Sequence, residues 1–489
     1  DSLIVSLQSP PPTTKSMKSL VFLSLLQLML MPALVVAQTT ESKINDLQNS
    51  EAILESSAVV FADTNSYQTQ ARTAAVTNLS NPSDIQIINY YALACIYYAT
   101  NGVANPRTED IIPGNILPMW KNEEKEWIAT SDYCTWYGIT CDINLNVIAI
   151  DLHENDIYGA WPNEVVLLKN SLQLLELYNN AFLYSIDPDW LNSMGELKYL
   201  FIGITSFTHT GIPEALSGCK NLIELDCSKS FWRDGPIPAS AFDNLDSLEY
   251  LDLGDNAYTN DGENAVPANL SNLSTLTNLY LDNVKFTPNP LTLDFLSQLP
   301  VLFEFWADFT EFDGGIPSSI GLVATLSSFS CTYCDLDGTI PTEIGNTSIN
   351  RLWLYANKLT GTIPWQLNNS NLMYLFLEEN NLGGSVPASI CAQTTSSLKG
   401  LGVDCQADGS VTCTCCTCCG ESCGNLEDST VAPTAASTAA QTAAPTAAPT
   451  GGGGYCFSGD SEVEVKNKGP VKMTDLAIGD VVKVADNTF

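Results

Sequence analysis

The sequence predicts an α/β solenoid: a helical lead-in, then a stack of short units that each give one strand to a parallel sheet. Three observations predict it. An apolar L-x-x-L-x-L pattern recurs about every 25 residues, with units starting near Val147, Leu172, Leu197, Leu222, Leu248, Leu276, Leu302, Leu326, Ile349 and Leu372. Several units close on Gly-x-Ile-Pro or a variant, as at residues 315–317, 338–341, 361–364 and 384–387. The stretch before them carries helix-like apolar spacing instead, through Ile44, Leu47, Ile53 and Leu54 and then Ile85, Ile88, Tyr91, Ala92 and Cys95.

Composition sets the boundaries. The chain has 489 residues, 45% of them hydrophobic, so it has material for a large core, and its length allows about three domains. Lys and Arg number 20 against 55 Asp and Glu, for a formal charge of −35. A nucleic-acid binder needs cations to neutralise phosphates, which rules that partner out, and anionic membrane surfaces are disfavoured for the same reason. Cationic partners fit the field better.

Residues 1–16 precede the first plausible start, Met17, and read as a non-native upstream segment. From Met17 a short basic stretch leads into the apolar run 20–36, with Val35 and Ala37 as small residues before a cleavage point. Residues 17–37 are therefore expected to be a secretory signal peptide, the alternative being an uncleaved signal anchor. No other transmembrane helix is expected. Residues 41–145 form an N-terminal helical region and cysteine cap. Cys134 and Cys141, close to Trp127 and Trp136, read as a disulfide lock in an exported chain.

In the repeats, 146–390, the leucines point inward from one short strand per turn. An Asn at the strand's end can bond neighbouring backbone, and Pro after the corner suits a leg that needs no ladder donor. No unit buries its own apolar face, so the stack is stable only through its neighbours. These units resemble plant-type extracellular leucine-rich repeats, and the segment 127–141 resembles the cysteine cap that precedes them. The resemblance covers roughly residues 85–405. It implies a right-handed leucine-rich-repeat solenoid with short parallel strands on the concave face, which binds a protein, peptide or glycan. The units at 197, 222, 276 and 302 lack the regular Asn or insert residues.

The x positions of each L-x-L core are expected to face solvent. They supply Glu176, Tyr178, Phe201, Asp226, Asp252, Tyr280, Asp282, Trp306, Asp308, Trp353, Tyr355, Phe376 and Glu378. Aromatics interleaved with carboxylates resemble an interface composition and suit cationic groups. Cross-strand aromatic ladders also stabilise a sheet without binding anything. Trp353, Tyr355, Phe376 and Glu378 form the leading candidate cluster.

Residues 391–423 form a cysteine-rich C-terminal cap. The dense C-x-C and C-C spacings suit a soft metal, but export favours a disulfide knot of undetermined pairing. Residues 424–455 are an Ala/Thr/Pro/Gly linker or mucin-like stalk. Sequons at Asn78, Asn269, Asn272, Asn346 and Asn368 are glycan candidates.

After the glycines, Val463 and Val465 alternate, then Val471 and Met473, across a turn containing Gly469. That reads as a hairpin. Residues 456–489, with Cys456-Phe457-Ser-Gly459 and Asp475-Leu476-Ala-Ile-Gly479-Asp480, resemble the start of the hedgehog/intein (Hint) autoprocessing domain, here a partial all-β domain that stops within it. The resemblance implies that Cys456 attacks the carbonyl of Tyr455 to form a thioester, which a second nucleophile, a sterol or water, then releases. The family's Thr-x-x-His block is missing, and His153 and His209 lie in the repeats. The chain as given is therefore expected to be inactive and the full-length protein self-cleaving. No cofactor or metal is implied. A structural role in a wall or matrix is a third reading.

Overall fold

The structure, a computed structural model, describes residues 42–43, 67–79, 82–100, 120, 127–157, 159–180, 188–205, 211–230, 235, 237–238, 240–259, 270–287, 290–369, 371–395, 397–405 and 411–419, together with the backbone of 462–465 and 469–472. The chain divides into two compact units, Asp1–Ser429 and Thr430–Phe489. The signal peptide, the stalk, His209, Tyr455 and Cys456 lie outside the described residues.

In the first unit, α1 (Tyr67–Asn78) and α2 (Asp84–Thr100) pack on each other and close the N-terminal end of the core. Tyr90, Tyr97, Trp120, Trp127 and Trp136 fill the joint, with the Trp127 and Trp136 rings 5.1 Å apart. Cys134 and Cys141 are bonded, with Cα atoms 5.6 Å apart. Asn78 donates from Nδ2 to Tyr90 Oη and to Ile128 O, so this sequon's amide is committed to packing. Asn272, Asn346 and Asn368 are exposed.

Strands β1 (Ile139–Cys141), β2 (Val147–Asp151), β3 (Leu174–Glu176), β4 (Tyr199–Phe201), β5 (Glu224–Asp226) and β6 (Tyr250–Asp252) begin the main sheet. After β7 (Ala257–Thr259) on the outer side come β8 (Asn278–Tyr280), the outer β9 (Lys285–Thr287), β10 (Glu304–Trp306), β11 (Ser328–Ser330) and β12 (Arg351–Trp353). Outer β13 (Thr360–Thr362), β14 (Tyr374–Phe376), outer β15 (Asn381–Ser385), β16 (Gly400–Val403), outer β17 (Val411–Thr412) and β18 (Cys418–Cys419) complete the unit. The main sheet runs β1-β2-β3-β4-β5-β6-β8-β10-β11-β12-β14-β16-β18, antiparallel only at the β1/β2 hairpin. This is a leucine-rich-repeat solenoid with a parallel sheet. Three strands of this sheet go beyond the ten sequence units: β1 in the cysteine cap, and β16 and β18, which extend the sheet past β14.

Each turn leaves its strand through a residue at positive φ, such as Asn179 at 56° or Ala356 at 55°. The next side chain points inward and satisfies the backbone groups exposed by the turn. Asn357 donates from Nδ2 to Cys331 O (2.7 Å) and Leu354 O (3.0 Å), while its Oδ1 accepts from Cys334 N and Leu336 N. Asn180 repeats the arrangement. In three units that lack the Asn, hydroxyls replace it. Thr205 donates to Ile202 O, Ser230 to Cys227 O and Thr310 to Leu281 O, and Thr310 also accepts from Val284 N. The strand register stays continuous across these units. Proline opens several return legs: Pro213, Pro317 and Pro341 cap short 3-10 turns. A cap residue needs no backbone donor there.

At the C-terminal end, Cys391 bonds Cys415 and Cys413 bonds Cys416, while Cys405 and Cys418 are also disulfide-bonded. Cys331 bonds Cys334 within one repeat. Cys95, Cys219 and Cys227 are buried free thiols. In the second unit, β19 (Glu462–Val465) and β20 (Gly469–Lys472) form an antiparallel hairpin with Val463 opposite Val471.

Asn357→Ala leaves two carbonyls and two amides unpaired in the core, so it should destabilise the solenoid by about 3–5 kcal/mol. Thr310→Val should cost less, about 1–2 kcal/mol. Urea titration followed by far-UV circular dichroism measures both, and equal losses would contradict the ranking.

Candidate functional site

The strand register sorts concave side chains into three rows. The first includes Tyr199, Glu224, Tyr250, Asn278, Glu304, Ser328, Arg351 and Tyr374. The second runs Asp151, Glu176, Phe201, Asp226, Asp252, Tyr280, Trp306, Ser330, Trp353 and Phe376. The third, two residues further along each strand, carries His153, Tyr178, Asp282, Asp308, Thr332, Tyr355 and Glu378.

Several positions expected to face solvent are buried: Phe201 is 3% exposed, Tyr280 3%, Phe376 2%, Asp226 1% and Glu378 4%. The concave curvature crowds side chains that stand only about 4.8 Å apart along a row, so each is shielded by its neighbours. Glu176, Tyr178, Asp282, Trp306, Asp308, Trp353 and Tyr355 remain partly exposed, as does Asp252.

The rings form one continuous run. Tyr250 lies 5.2 Å from Tyr280, Tyr280 6.5 Å from Trp306, Trp306 5.4 Å from Trp353, Trp353 6.2 Å from Tyr374, and Tyr374 6.3 Å from Phe376. Tyr250 and Tyr374 come from the first row, which an L-x-L reading skips. Their signal was the same alternation carried one residue before the core leucine. Beside the run, Glu304 accepts from Tyr280 Oη (2.9 Å) and Asn278 Nδ2 (3.2 Å), with Arg351 Nη1 3.8 Å away. On the rim, Phe309 and Tyr333 stack 5.0 Å apart and Tyr355 meets Tyr333 edge-on.

Burial changes the chemistry of the acids. Glu176 is pushed up to about 8, by desolvation first and by Asp151 second. Asp282 rises to about 7 through desolvation and Asp308, and Glu378 to about 7 through desolvation and Asp404. Asp226 and Asp252, one above the other, are both raised by burial, and Asp226 adds to the rise at Asp252. Glu176, Asp282 and Glu378 therefore hold their protons to higher pH than ordinary carboxyls do. His153 is raised by its 2.5 Å bond to Asp151. Among the described residues, no cluster of three or more His, Cys, Asp or Glu could hold a metal.

The fold and this face define a leucine-rich-repeat solenoid with an aromatic concave strip. Its repeats are similar to those of plant receptor-like proteins. The chain is 29% identical to Receptor-like protein kinase HAIKU2 of Arabidopsis thaliana over 171 residues, 33% of this chain and 16% of that protein. It is 32% identical to Receptor-like protein EIX1 of Solanum lycopersicum over 181 residues, 35% of this chain and 15% of that protein. The chain thus spans about a sixth of the length of the curated relatives it matches. A solved leucine-rich-repeat ectodomain, that of the Arabidopsis thaliana receptor kinase GASSHO1/SCHENGEN3, is similar with 28% identity and a TM-score of 0.49, over 55% of this chain and 31% of that chain. No family model matches the chain. No helix among the described residues is long and apolar enough to cross a membrane.

The raised carboxyls fix a sign for pH dependence. Between the ordinary value of 4.5 and about 8, folded Glu176 keeps a proton that the unfolded chain has released. Stability should fall as pH rises through that window and level off above it. Thermal melts from pH 5 to 8.5 should show a declining Tm. Glu176→Gln should flatten the slope by at most about 1.4 kcal/mol per pH unit; an unchanged slope would reject the assignment.

Proposed function

We propose that this protein is an exported recognition module that binds a protein, peptide or glycan partner at the concave strip. We assign to it the partly exposed Tyr178, Asp282, Trp306, Asp308, Trp353 and Tyr355, backed by the buried Phe201, Tyr280, Phe376 and Glu378. The aromatic run from Tyr250 to Phe376 carries the reading. A run this long on one curved face is more than the sheet needs, since β2 to β5 pair equally well with largely acidic or aliphatic side chains. Likeness to receptor-like proteins supports a surface that meets extracellular ligands. The domain plan supports export: signal peptide 17–37, cap 41–145, repeats 146–390, cysteine-rich cap 391–423 and linker 424–455.

Trp353→Ala combined with Tyr355→Ala should weaken binding of a purified partner at least about tenfold, as expected at the centre of an interface. Trp365→Ala, an exposed tryptophan on the return leg, should leave it unchanged. Biolayer interferometry reads both. Retained binding in the double variant would place the site elsewhere.

The second reading is autoprocessing at Tyr455–Cys456, favoured by the antiparallel hairpin β19/β20 that follows in the sequence. Here the Cys456 thiolate attacks the Tyr455 carbonyl carbon, the peptide C–N bond breaks, and the nitrogen leaves protonated as the Cys456 amine. Dithiothreitol should then release a fragment ending at Tyr455, read by mass spectrometry. Release persisting in Cys456→Ala would refute it.

A further inference from the structure

On the concave face β11 presents three small hydroxyl residues in succession, Ser328, Ser330 and Thr332. Its neighbours are bulky. β10 carries Glu304, Trp306 and Asp308, and β12 carries Arg351, Trp353 and Tyr355. Two strand spacings separate β10 from β12, roughly 10 Å, so the small residues leave a slot that the two tryptophans lean in to cover, with Ser328, Ser330 and Thr332 all buried beneath them. The indoles lean together across its mouth, with centroids 5.4 Å apart at 50°. Beneath them Ser330 donates to Asp308 Oδ1 at 2.7 Å, and Arg351 Nη1 reaches Ser328 Oγ at 3.4 Å.

The slot and its flanks contain buried polar atoms that the protein itself does not satisfy. Trp306 Nε1, Thr332 Oγ1, Arg351 Nε and Glu378 Oε2 have no hydrogen-bond partner. Thr332 is 1% exposed. Each such atom costs about 1–3 kcal/mol if nothing ever pairs with it, and four on neighbouring strands need a common explanation. A ligand that displaces the leaning rings would pair them.

The atoms specify that ligand. The indole Nε1 and the guanidinium Nε only donate, so the ligand must bring acceptors. A bare ammonium or guanidinium brings none, and an apolar side chain brings neither acceptors nor donors. The floor and Glu378 add groups that a hydroxyl can meet in either role. The walls are flat π faces, which call for a flat, C–H-lined surface between the polar groups. Sugar rings combine these features in one unit: hydroxyls at the edge and C–H groups on the face.

We propose that the slot between Trp306 and Trp353, with its extension to Glu378, is a saccharide subsite for a neutral glycan. The span from β10 to β14 covers three strand spacings, about 14 Å, which accommodates two or three pyranose residues. This assignment rests on the concave face being the recognition surface and names its ligand class.

The full-length chain titrated with cellohexaose, xylohexaose and mannohexaose, followed by calorimetry and tryptophan fluorescence, tests it. At least one should bind saturably with a shift in tryptophan emission. Trp306→Ala and Trp353→Ala should each weaken that binding at least about tenfold. Thr332→Val keeps the shape, removes an unpaired hydroxyl and should weaken binding about threefold or more without lowering the Tm. Trp365→Ala should change nothing. No saturable binding to any of the three, or binding undiminished from wild type in the two tryptophan variants, overturns the proposal. If the oligosaccharides fail while Trp353→Ala with Tyr355→Ala still abolishes binding of a protein or peptide, the recognition surface stands and the glycan falls. If both fail, both readings fall.

Discussion

The solenoid depends on how each turn leaves its strand without stranding backbone polar groups in the core. The strand must end, the chain must veer, and the carbonyls and amides at the corner lose their ladder partners while still buried. One inward side chain answers all of these at once. Asn357 holds two carbonyls and two amides across adjacent turns, so it binds one repeat to the next as well as closing its own corner. The residue before it must take positive φ, a conformation that disfavours side chains, and the row of such residues includes Ile204, Phe309 and Tyr333. Strain of this kind persists only where the surroundings over-determine it. The paired corner and the leucines stacked beneath it supply that constraint.

Fixed corners fix the register, and the register builds the concave face. Because every strand pairs in step with the next, the same three positions of each repeat line up in rows. Side chains then meet neighbours from about 25 residues away and not those adjacent in sequence. This is why Trp306 and Trp353 touch although a whole strand lies between them: β11 carries only small side chains in that row. It is also why Glu304 can gather Tyr280 and Asn278 from β8 and Arg351 from β12.

The fold was legible because a solenoid core is nearly one-dimensional. Val147, Ile150 and Leu152 need only the same triplet one turn later to be buried, and that repetition is visible in the sequence itself. Exposure on the concave side was not legible for the same reason that it is interesting. Whether Phe376 is open depends on what stands beside it on the next strands, and Tyr374, Trp353 and Cys418 cover it. Thr205, Ser230 and Thr310 looked like defects beside Asn180, because the requirement is for an inward donor and not for an amide. β16 escaped notice since Gly400 and Gly402 occupy the outward positions where other units show bulk. The role of Asn78 could not be read from its sequon, because its partners at Tyr90 and Ile128 come from other elements.

The formal charge of −35 overstates what a ligand meets on the concave face. Glu176, Asp226, Asp252, Asp282 and Glu378 are all raised by burial, and each is crowded by at least one other acid or shut away from water. A carboxyl that keeps its proton is a donor as well as an acceptor and repels nothing. The strip from Tyr250 to Glu378 is therefore less anionic than its count of acids suggests. The count of acids along the chain and the charge that a ligand meets on this face are therefore two different quantities. The two differ because desolvation outweighs formal charge wherever a carboxyl is packed against rings and cannot reach water.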